Sequence, residues 1–374
     1  MVRNWSINGR FLAQPTSGVQ RYAGEIVRSI DQLIADKHPL ARDLNVRLLL
    51  PPDAAESPRL SAITPHIIGT ISGHVWEQTF LPAASRAGLL SLCNSGPLAL
   101  PKHIVCIHDL NTRIVPDSYS HGFRTLYRLL IPALGRTAAR IATVSQFSAS
   151  QLVEYGIAKK TKIDVIPNGH EHVLRWQPEH SQLTRAAAGL DTIVVIGNSA
   201  PHKNIGLLIR LADDLAKAGM RIAVAGASDA RIFKSGATGT GPDNIVWLGR
   251  ISDAQLAALL RDSLCLAFPS LTEGFGLPVL EAMVLGCPVV ASDRASLPEV
   301  CGNASLYAAP SDPQGWLGHF SRLHRDAQLR AELAARGRTR ASQFSWRISA
   351  ELYLKAMARV DGLRVEEEMT TVVA

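Results

Sequence analysis

The segment from Pro269 to Asp293, PSLTEGFGLPVLEAMVLGCPVVASD, gathers residue types suited to a phosphorylated ligand. An apolar, strand-like run, LCLAFPS, feeds a short loop, TEGFG, and Pro278 suits the first turn of a helix that Gly286 ends. A helix N-terminus offers free N–H groups and the positive end of the helix dipole, so the amides of Gly274, Phe275, Gly276 and Leu277 form a candidate anion cradle. Two glycines in the loop let a diphosphate approach the backbone closely. Glu273 lies at the start of the loop and Glu281 eight positions later, where the pattern places it in the first helical turn. A carboxylate set back from a diphosphate accepts ribose hydroxyl bonds, each worth about 1.5–3 kcal/mol because the acceptor is charged. Alone, Glu281 would serve as dipole compensation and Glu273 as a solvated loop carboxylate. The glycines and the proline between them favour nucleotide binding.

The elements that must position this loop follow from hydrophobic patterning. Short Val/Ile-rich runs alternate with longer helical patterns, as in parallel α/β units. One set of strands is expected at 46–50, 66–70, 103–107, 140–145 and 162–168, and a second at 192–197, 221–226, 244–249, 264–270 and 287–293. Between the sets, HEHVLRWQPEHSQLTRAAAGL is polar and lacks strand character, which suits an interdomain linker. The fold class expected is therefore α/β, with two Rossmann-like, doubly wound parallel-sheet domains, 1–187 and 188–344, facing across a cleft. The helical C-terminal segment 345–374 is expected to pack back on the first domain. Ligands of such folds bind at the carboxyl ends of the strands, so chemistry is sought in strand-to-helix loops.

Composition sets outer limits. The 374 residues are 47% hydrophobic and 19% charged, which excludes a disordered chain and a coiled coil. No apolar run reaches the length of a spanning helix, and the first residues lack a secretion-signal pattern, so a cytoplasmic protein is expected, with attachment at the inner membrane face left open. Five scattered cysteines, never in a CxxC pair, read as reduced core residues and argue against a disulfide framework or a zinc site. Lys and Arg exceed Asp and Glu by 39 − 32 = 7, and the whole excess falls in residues 1–187 (20 against 13) while 188–374 balance at 19 against 19. A basic first half attracts an anion or presents a solvated basic surface. No helix-turn-helix, zinc or RNP pattern supports nucleic acid as a partner.

The two-glutamate segment TEGFGLPVLEA resembles the signature of the family 4 retaining glycosyltransferases of GT-B fold. Further matches run in the family's order from about residue 8 to about residue 350: SGVQRYAGEI, HVWEQTFLP, VCIHDL, TVSQFSAS, VIPNG, NSAPHKN and SDRASLPEVCGNASLYAAPSDP. The resemblance implies that Lys203 lies on the donor diphosphate, where a cation offsets growing leaving-group charge. It implies that Gly18 opens a helix facing the diphosphate, that His108 contacts the donor sugar beside the acceptor, that Glu273 touches the transferred sugar and that Glu281 takes the ribose. Many relatives carry an arginine early in the NSAPHKN loop. Here Asn198 occupies that place, and Arg250 is the alternative phosphate ligand.

The resemblance also implies retaining chemistry by front-face displacement, with the leaving phosphate oxygen accepting the acceptor's proton. No cofactor and no catalytic metal are expected, and no DxD motif is present. The expected partners are a nucleotide-diphosphate sugar, GDP-mannose first and a UDP-sugar second, and a saccharide or lipid-linked acceptor of cell-surface polysaccharide synthesis. An anionic membrane surface is a further candidate partner, because FRTLYRLLIPALGRTAARI carries Arg124, Arg128, Arg136 and Arg140 among leucines. The competing reading of that stretch is a core helix with a solvated arginine face. Two alternatives to the whole assignment are a non-catalytic sugar-nucleotide-binding protein and a GT-B sugar-nucleotide epimerase, although the epimerase pattern lacks the two-glutamate segment.

Overall fold

A computed structural model of the chain describes residues 2–54, 58–197, 200–226 and 243–364. The chain forms two compact units, one comprising Met1–Arg113, His121–Gly169 and Ser345–Ala374, the other Ile114–Ser120 and His170–Phe344.

The first unit is built on seven parallel strands: β1 (Arg3–Asn8), β2 (Leu44–Leu50), β3 (Thr64–Ile67), β4 (Leu89–Ser91), β5 (His103–Cys106), β6 (Arg140–Thr143) and β7 (Ile163–Val165), in the order β3-β2-β1-β4-β5-β6-β7. Strand β1 pairs with β2 along its whole length and with β4 through Ser6 and Ile7. Strand β1 carries no clear hydrophobic pattern, because RNWSIN mixes polar and apolar residues. At the centre of a sheet covered on both faces, its polar Ser6 and Asn8 are buried with Trp5 and Ile7. Helix α1 (Gly18–Ala35) lays Tyr22, Ile26, Ile30 and Leu33 into the core. Helix α2 (Gly73–Ala84) follows β3, and α3 (His121–Thr137) precedes β6. The C-terminal helix Trp346–Val360 packs on α1, its Tyr353 hydroxyl 2.8 Å from that of Tyr22 and its Trp346 ring edge-on to Tyr22 at 5.6 Å.

The second unit has six parallel strands: β8 (Gly189–Ile196), β9 (Arg221–Ala225), β10 (Ile245–Gly249), β11 (Ser263–Phe268), β12 (Val289–Ser292) and β13 (Leu306–Ala308), ordered β10-β9-β8-β11-β12-β13. Strand β11 is buried throughout, as befits the middle of a two-sided parallel sheet. Its flanking core joins Ile193, Val195, Leu207, Leu208 and Phe320 around Trp316. The strand order reverses between β8 and β11, so the loops leaving these two strands lie at the topological switch point of the sheet, where folds of this kind bind ligands.

All ten strands expected from patterning are present, and β1, β4 and β13 are additional. The three-residue runs LLS of β4 and LYA of β13 are too short to show a period. The units divide at Gly169/His170, ahead of residue 187, because the polar stretch after Gly169 carries the helix Gln182–Ala187 and belongs to the second unit. All five cysteines are free, four buried in the core and Cys93 half-buried.

Candidate active site

In the second unit, β8 runs into a loop whose Asn198 lies outside the described residues; the turn Pro201–Lys203 follows. Asn204 closes that turn in the left-handed region at φ 52°, and its amide donates to the carbonyls of Pro269 and Pro310 at 3.2 and 3.1 Å. That bond to Pro269 ties the turn to the loop leaving β11. As a result, Lys203 Nζ sits 2.7 Å from Glu273 Oε1, and it lies 5.6 Å from the Phe268 ring centroid. Both ends of the pair are largely buried, so their attraction is less screened than that of a surface pair. Glu273 is held in place through its own carbonyl, which accepts from Ser296 Oγ at 3.0 Å.

Helix α4 (Leu277–Val284) begins one residue after Gly276, which adopts φ 98°. A Cβ on Gly276 would approach Leu297 Cδ2 to 2.7 Å, so both conformation and space call for glycine. The N-cap contributes no side-chain hydrogen bond to the first-turn amides, and Phe275 and Leu277 are buried beside it. Glu281 is the fifth residue of α4 and so lies in the second turn, which corrects the first-turn placement. Pro278 occupies the second helical position, and Gly276 outside the helix moves the start earlier than the proline alone indicates.

Glu281 is 5% exposed, and its Oε1 is 3.0 Å from Nε2 of His172. His172, which is missed by sequence reasoning, follows the first strand set within the polar stretch expected to be a linker. Its ring packs edge-on against Trp176 at 5.5 Å. His202, next to Lys203, stacks on Tyr119 at 6.2 Å, and its Nδ1 is buried without a hydrogen-bond partner. Burial and the Lys203 cation, partly opposed by Glu273, lower the pKa of His202 and keep the imidazole neutral. Arg250 is exposed at the end of β10, an edge strand separated from β8 by β9.

The first unit holds Gly18 and His108. Gly18 is the first residue of α1, exposed, and a Cβ there would meet no protein atom within 4 Å. His108 follows β5 and is 6% exposed. Its Nε2 donates to the Leu92 carbonyl at 2.8 Å, which fixes the tautomer, its backbone N–H donates to Asn94 Oδ1 at 2.6 Å, and Tyr22 meets the ring edge-on at 4.8 Å. Burial opposes the imidazolium, yet Cys106 and the Leu92 carbonyl outweigh it and raise the pKa from the ordinary histidine value.

A second buried polar cluster lies where β1 and β4 end. Glu77 of α2 accepts from Asn8 Nδ2 at 2.7 Å and Ser95 Oγ at 2.9 Å, pairs with Arg10 Nε at 3.1 Å and meets His74 Nδ1 at 2.9 Å. Burial works against the Glu77 carboxylate, but these partners lower its pKa and hold it ionised. The WEQ segment marks Glu77 in the sequence, but Asn8, 69 residues away, carries no local signal. Among the described residues, no three His, Cys, Asp or Glu side chains cluster to hold a metal ion, and no helix is long and apolar enough to cross a membrane.

Comparisons with known proteins bear on the fold and the family of the chain. Residues 177–340 match the family model of glycosyl transferases group 1. The chain is 31% identical over 270 residues to the O-antigen chain mannosyltransferase B of Escherichia coli, an alignment covering 67% of this chain and 68% of that protein. Three further curated relatives are spanned over 34% to 59% of their length. Among solved structures, the sucrose-phosphate synthase of Thermosynechococcus elongatus superposes with a TM-score of 0.71 at 16% identity, covering 96% of this chain and 99% of that one. Anabaena HepE in complex with UDP-glucose superposes at 0.63 and 16% identity, covering 95% and 99%. These likenesses establish two Rossmann-like domains of the GT-B architecture.

Proposed function

From the premise that the chain belongs to the glycosyl transferases group 1 family, and is thus a glycosyltransferase, we propose that it moves a hexose from a nucleotide-diphosphate sugar to a saccharide or lipid-linked acceptor in cell-surface polysaccharide synthesis, with retention at the anomeric carbon. GDP-mannose is the first donor to test, because the Escherichia coli relative is named a mannosyltransferase. A UDP-sugar is the second, because Anabaena HepE holds UDP-glucose.

The observation that carries the reading is the junction of Lys203, Glu273 and the start of α4 at the ends of β8 and β11. In the proposed roles, the α4 amides and Lys203 take the diphosphate, with Asn198 and Arg250 as further donor ligands. Glu281, steadied by His172, accepts the ribose hydroxyls. Glu273 faces the transferred sugar, and His108 is assigned a contact to that sugar as well. As the bond between the anomeric carbon and the phosphate oxygen breaks, negative charge grows on the diphosphate, and preorganised donors there stabilise the transition state more than the ground state. The acceptor oxygen forms its bond on the same face while its proton passes to the departing phosphate oxygen, so no protein nucleophile is required.

The test is a calorimetric screen of GDP-, UDP- and ADP-sugars, followed by NMR of the product's anomeric centre with and without EDTA. An α-linked donor is expected to give an α-linked product whether or not chelator is present. A β-linked product, or activity abolished by EDTA and restored by magnesium or manganese, overturns the mechanism.

A further inference from the structure

The first unit carries a cavity of about 850 Å³ at the amino ends of its parallel strands, the edge of the sheet opposite to that from which Gly18 and His108 follow. Its walls come from the first residues of β1, from Asp43, Ala87 and Lys102 just ahead of β2, β4 and β5, from the turn Pro39–Ala41 after α1, and from the end of the C-terminal helix. All of them belong to one unit. The volume is that of a small-molecule site, and no residue of the proposed donor loop lines it.

The charge of the lining selects the ligand. Five cations, Arg3, Arg42, Lys102, Lys355 and Arg364, stand against the three carboxylates Asp43, Glu351 and Asp361, an excess of two positive charges. Two of the carboxylates are already engaged. Asp361 accepts from Arg3 Nε at 2.6 Å and from Trp5 Nε1 at 3.1 Å, and it pairs with Lys102 Nζ at 2.5 Å. Glu351 meets Nε of Arg347, which is not part of the lining, at 3.5 Å. Arg3, Arg42 and Lys102 also belong to the basic first half of the sequence, whose surplus the donor loop does not use.

Arg3 supplies an independent observation. Its side chain is 10% exposed, its Nε is taken by Asp361 and its Nη1 donates to the Leu40 carbonyl at 3.3 Å. Its Nη2 is buried and has no hydrogen-bond partner among the described residues. A buried cationic donor left unsatisfied is costly, so a guanidinium fixed in this way favours an anionic acceptor beside it.

A phosphate monoester meets these conditions. Its charge of about −2 at neutral pH matches the excess, and its terminal oxygens accept charge-assisted bonds from guanidinium and ammonium groups. The cavity is far larger than one phosphate group and offers Val2, Leu40, Ala358 and Leu363 to an organic body. We propose that this cavity binds the phosphate monoester of a small organic molecule through Arg3, Arg42, Lys102 and Arg364, and that its occupancy fastens the C-terminal helix onto the first sheet. The site stands apart from the donor assignment and does not depend on it.

Titration calorimetry of the full chain with glucose 6-phosphate and with glycerol 3-phosphate tests it, with glucose as the uncharged control. Saturable binding of at least one ester, no binding of glucose, and weakening as salt rises from about 0.1 to 0.5 M are expected. Arg42→Gln combined with Arg364→Gln, at exposed positions where folding is little affected, should weaken the ester about tenfold or more. Lys102→Gln should act in the same direction, and Lys203→Ala should leave ester binding unchanged. Hydrogen exchange of the unaltered chain locates the site without any variant: saturating ester should slow exchange of the Trp346–Val360 amides. No saturable binding of either ester, equal binding by the double variant, or a loss confined to Lys203→Ala, which would put the phosphate on the proposed donor loop, overturns the site. Ester binding that leaves exchange in Trp346–Val360 unchanged overturns the fastening of the helix.

Discussion

Lys203 and Glu273 are already engaged with each other, so a diphosphate reaching this ammonium competes with a carboxylate 2.7 Å away. In the proposed role its charge acts on the leaving group, so Lys203→Ala should reduce kcat about 100-fold or more, far beyond what its loss costs the fold. Near-native turnover would remove Lys203 from the reaction. For Glu281, loss of charge-assisted bonds in Glu281→Ala should weaken donor binding by about 1–3 kcal/mol, and His172→Ala should follow in the same direction through the 3.0 Å bond; titration calorimetry reads both. A third expectation concerns stability. Burial lowers the pKa of His103 to about 4, with the Glu77 charge only partly opposing it. The unfolded state then binds a proton that the folded state refuses. Its contribution is complete above the ordinary histidine pKa and is lost as pH falls from there to about 4, by about 3 kcal/mol in all. Urea unfolding of His103→Gln should show a flatter acid slope over that range. At this scale the sequence exposes residues that share a local motif, such as Glu273, Glu281 and Lys203. His172 stays hidden because its partner is 109 residues away and a lone histidine in a polar stretch has no pattern.

Elements were legible where burial is patterned, and the Val/Ile runs of β8 to β12 follow from that. Strand β1 was not, because a central strand can bury Asn8 once side chains from β4 and α2 satisfy it, and those partners are set by the fold. The same distinction separates two glycines. Gly276 holds φ 98° against Leu297, so Gly276→Ala should cost about 1–3 kcal/mol and disturb the start of α4, visible as a lower melting temperature together with weaker donor binding. Gly18 has ordinary helical geometry and open space around it, so Gly18→Ala should hold or raise stability by up to about 1 kcal/mol. A fall in turnover with no loss of stability would mean that the added methyl meets a ligand, and unchanged turnover would exclude Gly18 from the site.

For the whole molecule, the second unit takes most of its residues from one continuous stretch, whereas the first recruits its last helix from beyond that stretch. Trp346 and Tyr353 of this helix are fully buried, and Ser349 Oγ donates to the Pro167 carbonyl at 2.6 Å. Ending the chain at Phe344 should therefore collapse the cooperative unfolding of the first unit while the second keeps its own transition, as followed by urea titration with pulse proteolysis. Loss of both transitions together would show the units to be energetically inseparable. The chain path has a further consequence during synthesis. Domains fold as units while the polypeptide emerges at about 5–20 residues per second, usually N-terminal first. Here the first sheet is translated early but lacks the helix that covers α1 until Trp346–Val360 is made after the second unit, so the later-made unit is the first able to finish folding. In the interval, the apolar side of α1 waits on the ribosome for its cover, and that nascent intermediate is the form of this protein most in need of a chaperone.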